Sequence, residues 1–299
     1  MKKQTVKETL AIIGRQRPPF KSFFETFEPL LTQRRLTAER LAPLLASAGF
    51  SLEAKSARVP LLKEKQSEGL APFMREAARD MLPLVSALET VAPYKEKLEG
   101  LFSANGEERD VEALFYAMLA ETPDALMELA KKYRLEPRIL SFAGEFIVST
   151  VLRALAAELE DEEFGDWRKG VCPVCGTAPT IAWLAKRPPV EKNEFLAGGG
   201  GRKHLHCGMC GANWYFVRGI CPSCGAQGQD AMNILGEEDR RHERIDWCKK
   251  CNVYLPLIDL RELANVPDLD AMALGLMHLD LAAAEKALMP LKHSFWNTI

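Results

Sequence analysis

Between Leu70 and Tyr94 the chain reads LAPFMREAARDMLPLVSALETVAPY, where Phe73, Ala77, Met81, Leu84, Val85 and Leu88 recur at the spacing of one helix face. Pro83 lacks an amide hydrogen and crowds the preceding turn, so this helix is expected to kink or end early. A second start signal stands at Thr122 and Pro123: a capping residue type, a proline at the favoured first position, then ALMELAKKY with a basic end that complements the helix dipole. A third helix is expected from Pro137 to about Glu160, burying Ile139, Ala143, Phe146, Ile147, Thr150, Val151, Ala154 and Leu155. The first 165 residues thus read as a helical bundle serving as scaffold or docking surface.

The pattern changes near Gly165. Short β-prone runs, TIAWLA, NWYFVRGI and VYLPLIDL, now alternate with Gly, Pro and Cys. The tetraglycine Gly198 to Gly201 is too flexible for the inside of an element and matches neither phosphate-loop spacing, so it is expected at a mobile hairpin tip. Beyond Leu263 the text DLDAMALGLMHLDLAAAEKAL returns to helical spacing and predicts a terminal helix.

All eight cysteines lie in this second region, in four Cys-x-x-Cys pairs: Cys172/Cys175, Cys207/Cys210, Cys221/Cys224 and Cys248/Cys251. CPVCGTAPT…HLHCGMCGANWYF and CPSCGAQGQD…RIDWCKKCNVYLP follow one plan, with 31 and 23 residues between their paired motifs. For two sulfurs three residues apart to meet one ion, the chain must turn tightly, and the residue after the second cysteine often needs positive φ. Those residues are Gly176, Gly211, Gly225 and Asn252, the types that tolerate it best. Pro173 and Pro222 preset φ at two of the turns. Such turns also aim backbone N–H groups at the thiolates.

Four thiolates close a tetrahedral site suited to structural zinc or to a mononuclear iron of rubredoxin type, and spacing does not choose between them. Sequential pairing puts Cys172, Cys175, Cys207 and Cys210 in one site and Cys221, Cys224, Cys248 and Cys251 in the other; a cross-braced pairing is the alternative. A thioredoxin-like dithiol normally sits at a helix N-terminus with a single active pair, and cluster motifs for iron and sulfur are spaced differently. His204 and His206, two apart on a strand, share a face and are expected beside the sites rather than in them. The expected fold is α+β and multi-domain: a helical domain over 1–165, rubredoxin-like or zinc-ribbon β modules over 166–217 and 218–262, and a C-terminal helical segment over 263–299.

Composition narrows the function. With 47% hydrophobic and 27% charged residues over 299 positions, the chain is an ordinary globular one that can bury a core without disulfides. A formal charge of -2 supplies no field for steering polyanions. Between Asp166 and Glu262, 14 Lys and Arg stand against 11 Asp and Glu, a balance that two tetrathiolate sites would cancel, so nucleic acid is not the expected partner. Trp214, Tyr215 and Phe216 read as the small core of the β region. The apolar run Leu10 to Ile13 is too short for a signal-peptide core and FIVSTVLRALAAEL is broken by Arg153, so a cytoplasmic protein with no membrane partner is expected. No nucleophile and base pairing or open three-ligand site stands out, and the chain is expected not to be an enzyme.

CPVCG, HLHCGMCGANWYFVR, CPSCG and WCKKCNVYL, in that order after a cysteine-free helical region, resemble the formate dehydrogenase accessory protein FdhE family. Pro18-Pro19, Phe24 and the pair Arg34-Arg35 resemble its opening more loosely. The resemblance implies a non-catalytic cytoplasmic maturation factor that binds the catalytic subunit of formate dehydrogenase before export. It also implies two metal ions per chain in rubredoxin-like sites held by the eight cysteines; from the residues alone iron and zinc both stay open. A zinc-ribbon protein binding nucleic acid and a rubredoxin-like electron carrier are the competing readings.

Overall fold

The structure, a computed structural model, describes residues 2–52, 59–64, 69–120, 122–160, 164–185, 201–228, 230–236 and 240–297. Among the described residues eight α-helices come first: α1 (Val6–Gln16), α2 (Lys21–Ser47), α3 (Leu61–Glu64), α4 (Ala71–Val85), α5 (Lys95–Phe102), α6 (Glu108–Ala120), α7 (Pro123–Lys132) and α8 (Pro137–Leu155). Seven strands follow, β1 (Ile181–Leu184), β2 (Lys203–His206), β3 (Asn213–Tyr215), β4 (Met232–Gly236), β5 (Glu243–Cys248), β6 (Val253–Asp259) and β7 (Met289–Pro290), with α9 (Leu269–Gly275) and α10 (Met277–Ala284) before the last.

Helix α8 is the bundle's axis. Its apolar stripe, including Ala143, Phe146, Ile147, Val151 and Ala154, is buried, and α2, α4, α6 and α7 all pack against it. The stripe is nearly continuous because partners approach from several sides, as expected of a helix inside a bundle. Helix α4 ends at Val85, two residues beyond Pro83; the proline offers no amide to the carbonyl four residues earlier, which weakens the last turn and favours termination there. α7 starts at Pro123 as the sequence predicts, although the Thr122 side chain makes no capping hydrogen bond.

Six strands form one sheet in the order β3-β2-β1-β6-β5-β4, with β7 added to β6. Each repeat contributes an antiparallel three-stranded meander, and the two are laid head to tail: β1, the first strand of one, pairs in parallel with β6, the last of the other. The join is apolar, with Ala182, Leu184, Leu257 and Ile258 buried. At the sheet's other layer, Arg17 at the end of α1 forms a buried ion pair with Glu243 on β5, and His278 on α10 lies 3.4 Å from the same carboxylate. This pair ties the start of the chain to the sheet.

One expectation changes, and another falls mostly on residues outside those described. The predicted terminal helix is two short ones, α9 and α10, broken at Leu276. Gly275, a poor helix former, sits where a Cβ would stand 2.4 Å from Ile13 Cδ1, so α1 can press against the chain at the break. Gly198, Gly199 and Gly200 lie outside the described residues. Gly201 is buried just ahead of β2, against the Ala185 carbonyl, where no Cβ would fit.

Candidate metal centres

The structure brings the eight cysteines together in the sequential arrangement. Sulfurs of Cys172, Cys175, Cys207 and Cys210 all lie within 4.8 Å of one another, as do those of Cys221, Cys224, Cys248 and Cys251. Each cluster joins a turn ahead of a meander to a turn between two of its strands. Left-handed backbone occurs where the sequence requires it, at Gly176 (φ 81°), Gly211 (φ 81°), Gly225 (φ 70°) and Asn252 (φ 60°). The amide of each of these residues donates to the carbonyl of the first cysteine in its pair, at 2.9 to 3.0 Å. Backbone amides of Val174, Cys210, Cys224 and Lys250 then approach the sulfurs of Cys172, Cys207, Cys221 and Cys248 at 3.4 to 3.5 Å. These donors stabilise sulfur in its anionic form.

The donor set fits a tetrahedral ion. Four sulfurs held about 2.3 Å from a common centre stand about 3.8 Å apart. Cys172 and Cys210 are 3.4 Å apart and Cys175 and Cys207 3.5 Å, while in the second cluster Cys221 and Cys251 are 3.7 Å and Cys224 and Cys248 3.8 Å apart. None of these contacts is a disulfide; all eight thiols are free.

The clusters differ in environment. The first is sealed, its cysteines no more than 3% exposed. Burial pushes Cys172 and Cys210 well above the usual thiol range, whereas Cys207, although equally buried, is held well below it by the sulfurs around it. The buried Thr177 hydroxyl reaches Cys175 Sγ at 3.2 Å and Cys207 Sγ at 3.4 Å. The second cluster opens to solvent: Cys224 is exposed and Cys251 half-buried. There burial pushes Cys221 up to about 12, while the Ala226 amide and neighbouring sulfurs bring Cys224 down to about 7.

A polar network backs the first cluster. Arg153 Nη2 donates to the Gly208 carbonyl at 2.6 Å and to Asp270 Oδ1 at 2.7 Å. Arg34 reaches the same carboxylate at 3.2 Å and the Ser149 hydroxyl at 3.3 Å. Helices α2, α8 and α9 therefore converge on the turn between Cys207 and Cys210. Asp270 is largely buried, yet Arg153, Arg34 and His206 hold its carboxyl well below the usual range; burial, with Arg153 adjacent, brings Arg34 down to about 10. His206 lies outside the cysteine cluster and is buried, with Nε2 3.1 Å from Asp270 Oδ1 and Nδ1 3.0 Å from Asn213 Oδ1. His204 is likewise outside it, stacked on Trp183 with ring centroids 4.3 Å apart. Trp214 is fully buried and donates to the Lys169 carbonyl at 3.1 Å. Sequence reasoning missed Thr177, Arg153 and Asp270; only the pair Arg34-Arg35 carried any advance signal.

Fold and sites define a class of protein: a helical scaffold carrying two four-thiolate clusters, each able to hold a metal ion, on one shared sheet. No family profile matches the chain. A protein described as an FdhE homolog from Aquifex aeolicus is 34% identical over 131 residues, 43% of this chain and 42% of that protein. An FdhE homolog from Proteus mirabilis is 25% identical over 233 residues, covering 75% and 68% of the two chains. The matches with the first curated relatives span less than half of those proteins' length. The crystal structure of the FdhE protein from Pseudomonas aeruginosa has the same fold, with a TM-score of 0.64 at 17% identity over 95% of this chain and 92% of that one. The chain is thus similar in sequence to FdhE homologues and shares the fold of an FdhE protein.

Proposed function

We propose that Cys172, Cys175, Cys207 and Cys210 ligate one metal ion and Cys221, Cys224, Cys248 and Cys251 a second, each iron or zinc. The observation that carries this is the matching geometry of the clusters: four free sulfurs at tetrahedral separations, with backbone amides aimed at two of them in each cluster. When bound, either metal supplies cross-linking of the two turns, and iron adds a one-electron couple. Four thiolates fill a tetrahedral ion and leave no position for a substrate, which favours a non-catalytic role.

On this reading the chain is a cytoplasmic accessory protein for formate dehydrogenase, binding the catalytic subunit before export. Support comes from the similarity to FdhE homologues together with the likeness in the cysteine segment. Residues 1–165 and 263–299 would form the helical scaffold, and 166–217 and 218–262 the two metal ribbons. No helix among the described residues is long and apolar enough to cross a membrane. The test is anaerobic affinity purification from the native host with metal analysis of the eluate. Two metal ions per chain and co-elution of a formate dehydrogenase catalytic subunit are expected. Recovery of the chain without that subunit or any other molybdenum or tungsten oxidoreductase would refute the accessory role.

A further inference from the structure

Two guanidinium groups share one carboxylate beside the first cluster. Arg34 and Arg153 both pair with Asp270, and all three side chains are largely buried. The nearby Arg35 is balanced by its own ion pair with Asp268. Glu145, the other carboxyl close to Arg34, also faces Lys292. One positive charge is therefore left over, away from bulk water. It is fixed against the metal turn: Arg153 holds the Gly208 carbonyl, and a Cβ on Gly211 would stand 2.9 Å from its Nη1. Arg34 leans on the same carbonyl at 3.5 Å. The second cluster shows nothing comparable among the described residues, and two of its cysteines, Cys224 and Cys251, reach solvent.

A tetrathiolate around a divalent ion carries two negative charges, and burying an uncompensated charge is costly. In the second cluster water can solvate that charge. In the sealed first cluster the protein must compensate it. We propose that the pair Arg34 and Arg153 is the built-in counter-charge of the first centre, setting its affinity for divalent metal and making helix packing and metal occupancy interdependent. This rests on the metal-site reading above and assigns these arginines a role beyond packing. Asp270 orients both guanidinium groups but subtracts from their field. Removing an arginine charge and removing the aspartate charge should therefore act in opposite directions.

The test is a competition titration of the full-length, reduced protein with zinc against a chromophoric chelator, comparing wild type with Arg34→Gln, Arg34→Lys and Asp270→Asn. One of the two binding steps should weaken about tenfold in Arg34→Gln and tighten in Asp270→Asn, the order expected of a unit charge acting through an effective dielectric near 20. The other step should stay put and serve as internal control. Arg34→Lys, which keeps the charge, should stay within a few-fold of wild type even where Arg34→Gln is too unstable to titrate. A merely structural network predicts instead that Arg34→Gln and Asp270→Asn weaken binding alike, and that result overturns the proposal. So does loss of the affected step in a folded Arg34→Lys protein. Failure of wild type to bind two ions would overturn the metal-site reading itself, an outcome distinguishable from the others.

Discussion

Gly211 and Gly225 occupy equivalent positions in the two clusters, with φ of 81° and 70°, and an alanine at either is strained. Their surroundings differ. An added methyl at Gly225 meets nothing within 4 Å, whereas at Gly211 it meets Arg153 Nη1 at 2.9 Å. Gly225→Ala should therefore cost only the backbone term, about 1–2 kcal/mol for left-handed geometry at a residue with a Cβ. Gly211→Ala incurs the same term and also displaces a buried guanidinium from Asp270 and the Gly208 carbonyl. Breaking a buried pair outright costs about 3–5 kcal/mol, so a partial displacement places Gly211→Ala at roughly 3 kcal/mol or more. Thermal unfolding with metal in excess reads the difference: each kcal/mol moves the midpoint by about 1.5–2 °C in a chain of this length. Equal shifts for the two variants would refute the assigned contact between Arg153 and the turn.

Exposure makes further differences measurable. Alkylation of the reduced, metal-free protein should label Cys224 first, with Cys172, Cys175, Cys207 and Cys210 labelled only on unfolding, as peptide mapping of a time course would show. A strong chelator should remove the second ion faster than the first, so that release follows two phases, and Cys224→Ser should alter the fast one. Asp280 gives a pH signature. Burial pushes its carboxyl up to about 6, so the native state holds a proton there that the unfolded chain has released. Its contribution is fully present below about pH 4 and lost as pH rises through about 6, amounting to about 3 kcal/mol. Asp280→Asn should flatten stability between those limits; an unchanged pH profile by urea unfolding would count against the shift.

The cysteine clusters were legible in the sequence because their geometry is local. A cysteine pair, its turn and the residue that must go left-handed lie within five positions, and residue types alone pick out Gly176, Gly211, Gly225 and Asn252. The long helices were legible for the same reason, since α8 carries its burial pattern in its own spacing. What backs the first cluster was not. Arg34, Arg153 and Asp270 come from three helices more than a hundred positions apart in sequence, and beyond the Arg34-Arg35 pair nothing in their local context distinguishes them from solvated charges. Thr177 is similarly silent, because a threonine after a turn has many ordinary uses. The break between α9 and α10 also escaped the pattern, since it depends on Gly275 meeting Ile13.

The parallel join between the repeats has a consequence for the order of assembly. Ala182 on β1 pairs with Leu257 on β6, so the first meander keeps an open apolar edge until the second has been made. The four cysteines of the first cluster are all in hand by residue 210, well before that edge can close. Closing so long a loop is slow and entropically costly for an unconstrained chain. During synthesis, an ion gripped by the first four thiolates would hold β1 and β2 in register while the remaining strands emerge. The same ion would thereby act as a folding template before it becomes part of the finished protein.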